Sequence, residues 1–430
     1  MSETNHSPSP NGNGSHPAPL LTTGDVPTEH GLVQLESAPP SKPLKQHAPE
    51  RKATGLPAVL NSFYYGITEA GPFRGTLPML QINQDNGFDC PGCAWPDPDG
   101  KRSPFDFCEN GAKAIAHESD RRRITPDFFA THSVAALSNE SDYWLEQQGR
   151  LTEPVILREG ATHYEPISWD DALAEIAAEL NGLASPDEAS FYTSGKAVNE
   201  AAFAYQLFVR QFGTNNLPDC SNMCHESSGS ALTNVIGFGK GTVKLEDFEH
   251  AELVLVCGQN PGTNHPRQLT ALQKSKRNGA KIVAVNPLPE AGLVGFMNPQ
   301  EPLGLLGIPT KIADEFLQVR VNGDVALFKG IMKHLVECDD RERGSAIDWD
   351  YVNTYTTGID ELLASLRGAS WEEIVEVSGI SRERITAVAE DVRKARKIII
   401  CWCLGITQHH NGTHNVQELI NVLLLRGAMG

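Results

Sequence analysis

The sequence predicts an α/β protein built on doubly wound sheets, with a small loop-rich cysteine module beside them. Two observations support this fold class. Short apolar runs of strand length alternate with amphipathic helical stretches, as they do in strand–helix–strand crossover units. A segment rich in Pro and Gly also carries Cys90, Cys93 and Cys108, and it lacks the apolar residues for a core of its own. Other interactions must therefore hold that segment together.

Length and composition divide the chain into three parts. With 430 residues it exceeds what one core usually organises. Residues 1–58 are rich in Pro, Ser, Asn, Gly and His, which predicts a disordered tail. Residues 59–150 are expected to form the cysteine module with an adjoining segment, and 151–430 the α/β domains.

The net charge and the missing targeting signals indicate which partners are disfavoured and which location to expect. The formal charge of 36 − 54 = −18 opposes non-specific binding to nucleic acid or anionic lipid. The longest apolar run, around 398–406, is too short for a transmembrane segment. The sequence contains no apolar signal segment or twin-arginine motif, and its nine cysteines are unevenly spaced, so a cytoplasmic location is expected.

The regular elements begin at Ser168, which with Asp171 resembles a helix capping box. The elements predicted after it are a helix from 168, a strand over 189–193, a helix over 198–212, a crossover made of strand 253–256, helix 265–277 and strand 281–285, a helix around 385–392, and strand 398–400.

Cys224 and His225 are the first candidate catalytic residues, because they place a thiol beside an imidazole after an amphipathic helical stretch. A thiolate can bind a soft metal, and a histidine can move protons. Cys90, Cys93 and Cys108 form a second cluster. Thiolates two residues apart bind zinc or an iron-sulfur cluster equally well, so a structural zinc knuckle stays open as an alternative.

Three loops that end predicted strands carry small or neutral polar residues: 258–261, 286–287 and 405–408. In open α/β sheets, ligands bind beyond the carboxyl ends of the strands, so these loops are candidates for nucleotide binding. The dinucleotide motif G-x-G-x-x-G is missing from them, and ordinary turn chemistry is the alternative interpretation.

Several motifs in order resemble the molybdopterin oxidoreductases of the formate dehydrogenase and nitrate reductase group. They are 191–195, 199–202, 212–216, Cys224-His225, 258–261, 265–266, 276–280 and 405–408. The cysteine module at 87–97 is most similar to the YdeP-like branch of formate dehydrogenase alpha-subunit homologues. The resemblance covers roughly residues 60–430.

The resemblance implies a bis-molybdopterin guanine dinucleotide carrying molybdenum, and one [4Fe-4S] cluster. Cys224 matches the molybdenum ligand, and His225 matches the adjacent proton-handling histidine. The residues that match the lining of the pterin dinucleotide are Gly258, Asn260, Pro261, His265, Asn286, Pro287, Gly405, Thr407 and Gln408.

The cysteine module departs from the family pattern. Asp97 stands where the third cysteine would fall, so Cys90 and Cys93 match directly and Cys108 is the candidate replacement for the fourth. Asn110 then takes the place of the lysine between cluster and pterin, which leaves Lys113 as a substitute.

The expected function is a formate-like two-electron oxidation of a small substrate, with electrons leaving through the cluster to an electron-transfer partner protein. A non-catalytic cofactor-binding or stress-response homologue of the acid-resistance kind is the alternative. A zinc-stabilised α/β protein of another class is the third hypothesis. Metal analysis of the purified protein would distinguish the three hypotheses. Molybdenum with iron supports the first, molybdenum without iron the second, and zinc alone the third.

The last residues, 423–430, resemble a helix and glycine turn in the middle of a family domain. In relatives the rest of that domain and a C-terminal β-barrel follow, and both are absent here. The apolar helix over 416–425 is expected to leave its buried face without a partner. The 430-residue chain alone is therefore expected to be inactive and poorly soluble, either as a fragment of a longer gene product or as one half of a split protein.

Overall fold

A computed structural model describes residues 46–93, 95–195 and 197–429, and the backbone of 25–28 and 31–34. Asp25–Thr28 and Gly31–Gln34 form an antiparallel pair of strands. The rest of the predicted disordered tail up to residue 45 lies outside the described residues. Regular structure begins before 59, because the short strand Ala53–Thr54 pairs with Phe296–Met297.

Helices dominate the described chain. The α-helices are Leu56–Tyr65, Glu109–Glu118, Pro126–Thr131, Val134–Ser138, Asp142–Gln147, Trp169–Gly182, Asn199–Phe212, Cys220–Ile236, Pro261–Asn264, Pro266–Arg277, Ala291–Val294, Pro302–Leu305, Asp324–Arg341, Trp349–Tyr355, Ile359–Gly368, Trp371–Ser378, Arg382–Lys394, Leu404–Thr407 and Gly412–Leu425. Shorter helical turns are Gly66–Ala70, Pro78–Gln81, Pro186–Glu188 and Leu245–Glu249. Within the described ranges, none of the helices combines the length and the apolar character needed to cross a bilayer.

A four-stranded parallel sheet organises the α/β part. Its strands are β1 (Leu253–Cys257), β2 (Lys281–Val285), β3 (Glu315–Leu317) and β4 (Ile398–Trp402), in the order β3-β2-β1-β4. The predicted crossover from β1 through helix Pro266–Arg277 to β2 is confirmed. Because β4 adds on the other side of β1, the strand order reverses there, which opens a crevice at the carboxyl ends of β1 and β4.

Both faces of the sheet are covered, as in a doubly wound fold. Leu253, Leu255 and Cys257 face one core, which helices Asp324–Arg341, Arg382–Lys394 and Gly412–Leu425 complete. Val254 and Val256 face a second core, shared with helix Pro266–Arg277. Burial on both faces explains why the strands are continuous apolar runs instead of alternating ones.

The remaining strands are two residues long: Arg123–Ile124 pairs with Arg150–Leu151, and Val155–Ile156 with Glu165–Pro166. The predicted strand at 189–193 is not formed. Thr193 makes one isolated bridge to Asp219, and the Phe191 N–H donates to the Asn216 carbonyl at 2.9 Å. One bridge without a neighbouring ladder leaves this segment irregular.

The chain separates into two compact units. Residues 121–179 belong to one unit, whereas 47–120 and 180–429 belong to the other. The cysteine module therefore belongs to the unit that contains the sheet. Its Trp95 ring packs on Phe248 at 5.9 Å, and Asp99 pairs with Lys244 at 2.8 Å. The module also has a small core of its own, because Cys90 and Phe107 pack against Met79, Ile82, Ala112 and Ile115, so the expectation that it lacks a core is wrong.

Helix Gly412–Leu425 also differs from expectation. It packs against helices Cys220–Ile236 and Asp324–Arg341, and Val416, Leu419 and Ile420 are buried. The prediction that this helix leaves an apolar face uncovered is wrong, because both partners lie within the chain.

Candidate functional site

The crevice between β1 and β4 is lined by two loops in direct backbone contact. The N–H of Gly405 donates to the carbonyl of Gly258 at 3.1 Å. Gly258 has φ +59°, and a Cβ built there would lie 2.7 Å from the Gly405 carbonyl carbon. A side chain at Gly258 would therefore push the two loops apart and strain the backbone.

Asn286, after β2, supports the loop after β1. Its Oδ1 accepts from the Gln259 N–H at 3.0 Å, and its Nδ2 donates to the Gln259 carbonyl at 2.9 Å. Gln259 Nε2 then donates to the Trp402 carbonyl at 3.2 Å. Asn286 is buried, and its two hydrogen bonds to the Gln259 backbone stabilise the loop after β1. Gln259 was not among the predicted site residues, although it lies inside the predicted motif.

The other residues predicted on these loops are near the crevice. Asn260 precedes the short helix Pro261–Asn264, in which Pro261 is buried, and the His265 N–H donates to the Pro261 carbonyl at 3.0 Å. Pro287 follows Asn286 and is exposed. The structure therefore brings the predicted loop residues to the carboxyl ends of β1, β2 and β4.

Helix Cys220–Ile236 brings Cys224 to the same crevice. The helix is interrupted at His225, whose φ of −129° and ψ of 18° are not helical. The Cys224 carbonyl accepts from Thr407 Oγ1 at 2.9 Å and from Gln408 Nε2 at 3.2 Å. These side chains follow β4, so the interrupted turn is fixed to the loop that carries Gly405.

His225 is half-buried next to the crevice, and burial lowers its pKa. Its Nδ1 lies 3.2 Å from Ser228 Oγ, which accepts from Trp402 Nε1 at 2.9 Å. Burial also lowers the pKa of His265, and the nearby His225 adds to this effect. Both imidazoles are therefore neutral at pH 7. A neutral imidazole has a nitrogen lone pair that can accept a proton.

Asp324 is a buried carboxyl that sequence reasoning missed. It is the first residue of helix Asp324–Arg341, and burial raises its pKa to about 6, while His409 acts in the opposite direction. His409 Nε2 lies 2.9 Å from the Gly405 carbonyl. An acidic residue opening a helix is common, so the sequence contains no signal for its burial.

Cys90, Cys93 and Cys108 line one cavity of about 310 Å³. Asn264 and Arg267, from the segment after β1, form another part of its wall. Burial, with the thiols of Cys93 and Cys90, raises the pKa of the Cys108 thiol, whereas backbone N–H groups of Gly111 and Asn110 lower it. The cavity thus gathers the three predicted metal-binding cysteines.

Asn110 and Lys113 differ in their position. Asn110 lines the cavity, and its Nδ2 donates to the Thr263 carbonyl at 2.7 Å, which joins the cysteine module to the loop after β1. Lys113 pairs with Glu109 at 2.7 Å and lies over the Tyr65 ring at 4.5 Å. The link from the cavity towards the crevice is therefore made by Asn110.

A separate group of side chains joins helices Asp324–Arg341 and Arg382–Lys394. His334 Nε2 lies 2.9 Å from Glu390 Oε1, and Cys338 Sγ lies 3.5 Å from the same nitrogen. Arg393 donates to Glu390 at 2.8 Å, and Arg341 to Cys338 Sγ at 3.0 Å. Because two guanidinium groups already occupy the carboxylate and the thiol, this group is a structural junction.

Comparison with known proteins gives similar sequences of greater length. The chain is 52% identical over 381 residues to an uncharacterized oxidoreductase of Mycobacterium tuberculosis, covering 89% of this chain and 49% of the relative. It is 47% identical over 362 residues to Protein YdeP of Escherichia coli K12, covering 83% and 48%. The chain spans about half the length of these curated relatives.

A more distant relative is the F420-dependent formate dehydrogenase 2 subunit alpha of Methanococcus maripaludis, 28% identical over 330 residues, covering 75% of this chain and 45% of that subunit. Among solved structures, acetylene hydratase from Pelobacter acetylenicus has the same fold with a TM-score of 0.53 and 19% identity, covering 64% of this chain and 35% of that one.

The family model for molybdopterin oxidoreductases matches residues 150–430, which include the crevice, its loops and Cys224. Since that match covers more than half of the chain, the protein belongs to the molybdopterin oxidoreductase family.

Proposed function

We propose that this chain supplies the metal-binding and pterin-binding part of a molybdenum enzyme that oxidises formate or a similarly small substrate. Family membership implies a molybdenum–pterin cofactor. The observation that carries the proposal is the attachment of Cys224 to the crevice, through hydrogen bonds from Thr407 and Gln408 to its carbonyl. A soft thiol donor is thereby held beside the loops that would bind the pterin.

The residues fit such a cofactor. A Cβ on Gly258 or Gly405 would collide with the backbone of the other loop, so the two glycines allow the loops to meet beyond the ends of β1 and β4, where α/β folds bind dinucleotides. Cys224 would bind the molybdenum, and the loops 258–261 and 405–408 would bind the pterin guanine dinucleotide. When bound, this cofactor accepts the two electrons that formate loses as it becomes carbon dioxide and a proton.

His225 would receive that proton. Burial lowers the pKa of His225, so the imidazole is neutral at pH 7 and carries a lone pair. Ser228 orients the ring through Nδ1, and Trp402 fixes the serine hydroxyl. The electrons would leave through a [4Fe-4S] cluster in the cavity of Cys90, Cys93 and Cys108 towards an electron-transfer partner protein.

The test uses wild-type protein that is produced with molybdenum, purified without air and first shown to reduce a dye with formate. We expect Cys224→Ala to abolish formate-dependent dye reduction while the extracted pterin content is unchanged, because the two loops bind the dinucleotide independently of the thiolate. Met223→Ala is the matched control, since Met223 is adjacent and 63% exposed. Unchanged turnover in Cys224→Ala would remove Cys224 as the metal ligand.

A non-catalytic homologue is the second candidate, and the observation that favours it is Asp97 in place of a family cysteine. Such a protein would bind the pterin without a functional electron exit. Metal analysis separates the two candidates, since molybdenum with iron supports the enzyme and molybdenum without iron supports the non-catalytic homologue.

A further inference from the structure

The cavity of Cys90, Cys93 and Cys108 contains three thiols, whereas a [4Fe-4S] cluster has four iron atoms to ligate. We propose that three cysteines of this chain hold the cluster and that its fourth iron is bound by water or hydroxide. This inference rests on the proposed function, because it concerns the cluster through which electrons would leave.

The spacing of the thiols suits a cluster better than a zinc ion. Four thiolates around one tetrahedral zinc lie about 3.8 Å apart, given zinc–sulfur bonds of about 2.3 Å. Among the described residues, the one group of three ligand atoms mutually within 4.8 Å is His334, Cys338 and Glu390. The three module thiols are therefore spread more widely, around a cavity of about 310 Å³.

Backbone donors around the cavity also suit thiolates. The Gly92 N–H donates to Cys90 Sγ at 3.4 Å. Cys108 immediately precedes helix Glu109–Glu118, and the backbone N–H groups of Gly111 and Asn110 in its first turn lower the pKa of the Cys108 thiol. Gly111 is required there, since a Cβ would lie 2.9 Å from Cys90 Sγ. Hydrogen bonds to sulfur are a principal means by which proteins stabilise clusters.

Asp97, which matches the missing family cysteine, is engaged elsewhere. Its carboxylate lies 2.8 Å from Arg267 Nη2 and 3.4 Å from Arg102 Nη1. The Arg267 side chain is only 13% exposed, so this ion pair is shielded from solvent and expensive to break. Asp97 is therefore an anchor for Arg267 instead of an iron ligand.

The rest of the cavity wall offers no fourth thiol within the described side chains. The polar side chains that join the three cysteines there are Asn110, Thr263, Asn264 and Arg267. Cys257 and Cys401 lie in the parallel sheet, and Cys338 lies on helix Asp324–Arg341. Cys90 and Cys93 are half-buried and Asn110 is exposed, so water reaches the site.

An iron atom without a cysteine ligand is released by mild oxidation. Ferricyanide would take one electron from [4Fe-4S]²⁺, which yields [3Fe-4S]⁺ and one free Fe²⁺. The anaerobic full chain is titrated with ferricyanide while the paramagnetic [3Fe-4S]⁺ signal and bound iron are measured. We expect the signal to appear as bound iron falls by one quarter, and both to reverse when Fe²⁺ and a reductant are added.

Variants identify the ligands. Cys108→Ser should lose iron and the visible absorbance of the cluster, whereas Asp97→Asn and the matched control Cys403→Ser should keep both. Iron that resists ferricyanide, or cluster loss in Asp97→Asn or Cys220→Ser, would overturn the three-cysteine proposal while leaving the proposed function intact. Protein that carries molybdenum but no iron would contradict the cluster itself, and with it this proposal.

Discussion

At the residue scale, two carboxyl groups have pKa values displaced in opposite directions. Burial raises the pKa of Asp324 to about 6. Hydrogen bonds from Arg393, and then from His334, lower the pKa of Glu390 to about 2. Neither shift is apparent in the sequence, because it depends on which groups the fold brings next to each carboxyl.

Asp324→Asn should remove a pH-dependent loss of stability. A carboxyl whose folded pKa is raised stabilises the fold below its unfolded pKa, and that stabilisation is lost as the pH rises from about 4 to about 6. The loss is at most roughly 3 kcal/mol. Urea unfolding at pH 4 and pH 7 measures it, and we expect the variant to lose less stability than the wild type across that window. An equal loss would contradict the burial of a charged Asp324.

At the element scale, Glu390 couples helix Arg382–Lys394 to helix Asp324–Arg341. A carboxyl with a lowered folded pKa stabilises the fold above its unfolded pKa, and the stabilisation fades as the pH falls from about 4.5 towards 2. Glu390→Gln should thus destabilise the protein by about 1 kcal/mol at pH 7, since the partly exposed pair is screened by solvent. Asp340→Asn, in the more exposed pair with Arg367, is the matched control with a smaller expected effect. Equal unfolding midpoints for the wild type and Glu390→Gln at pH 7 would contradict the coupling.

Helix Gly412–Leu425 depends on burial between two neighbouring helices. Leu419 is fully buried there, so Leu419→Ala should cost about 2–4 kcal/mol of unfolding free energy. Leu207→Ala makes the same change at a position that is 57% exposed, and should cost no more than about 0.5 kcal/mol. Denaturant unfolding compares the two, and similar costs would show that the helix is not packed as described.

At the scale of the whole molecule, the sequence predicted an exposed apolar face on the helix over 416–425, but that helix is buried and other helices expose apolar side chains. Leu173 and Ile176 of helix Trp169–Gly182 are more than half exposed, as are Phe203 and Leu207 of helix Asn199–Phe212. Both helices were predicted from the sequence, the first from the apolar spacing of residues that include Leu173 and Ile176. Contiguous apolar faces of this kind favour self-association.

We therefore expect the 430-residue chain to self-associate through helix Asn199–Phe212. Phe203→Glu combined with Leu207→Glu should shift the mass measured by light scattering towards the 46.8 kDa of one chain. Val321→Glu adds charge at an exposed position on another segment and should leave the mass unchanged. A double variant that associates as strongly as the wild type would locate the contact on a different surface.

The sequence by itself determined β1, β2 and β4 and the crossover between β1 and β2, because buried parallel strands are apolar runs that local pattern reveals. It did not predict the three-residue strand β3. It also predicted site residues at Cys224, at the loops after the strands and at the three module cysteines, since each lies in a recognisable motif, and their roles remain proposals. Tertiary structure alone decided the order β3-β2-β1-β4, the attachment of Cys224 to Thr407 and Gln408, and the pairing of Asp97 with Arg267. Tertiary contacts also bury the apolar face of helix Gly412–Leu425, and they leave residues 189–193 with a single bridge instead of a paired strand. These features depend on contacts between residues distant in the chain, which the local spacing of side chains does not encode.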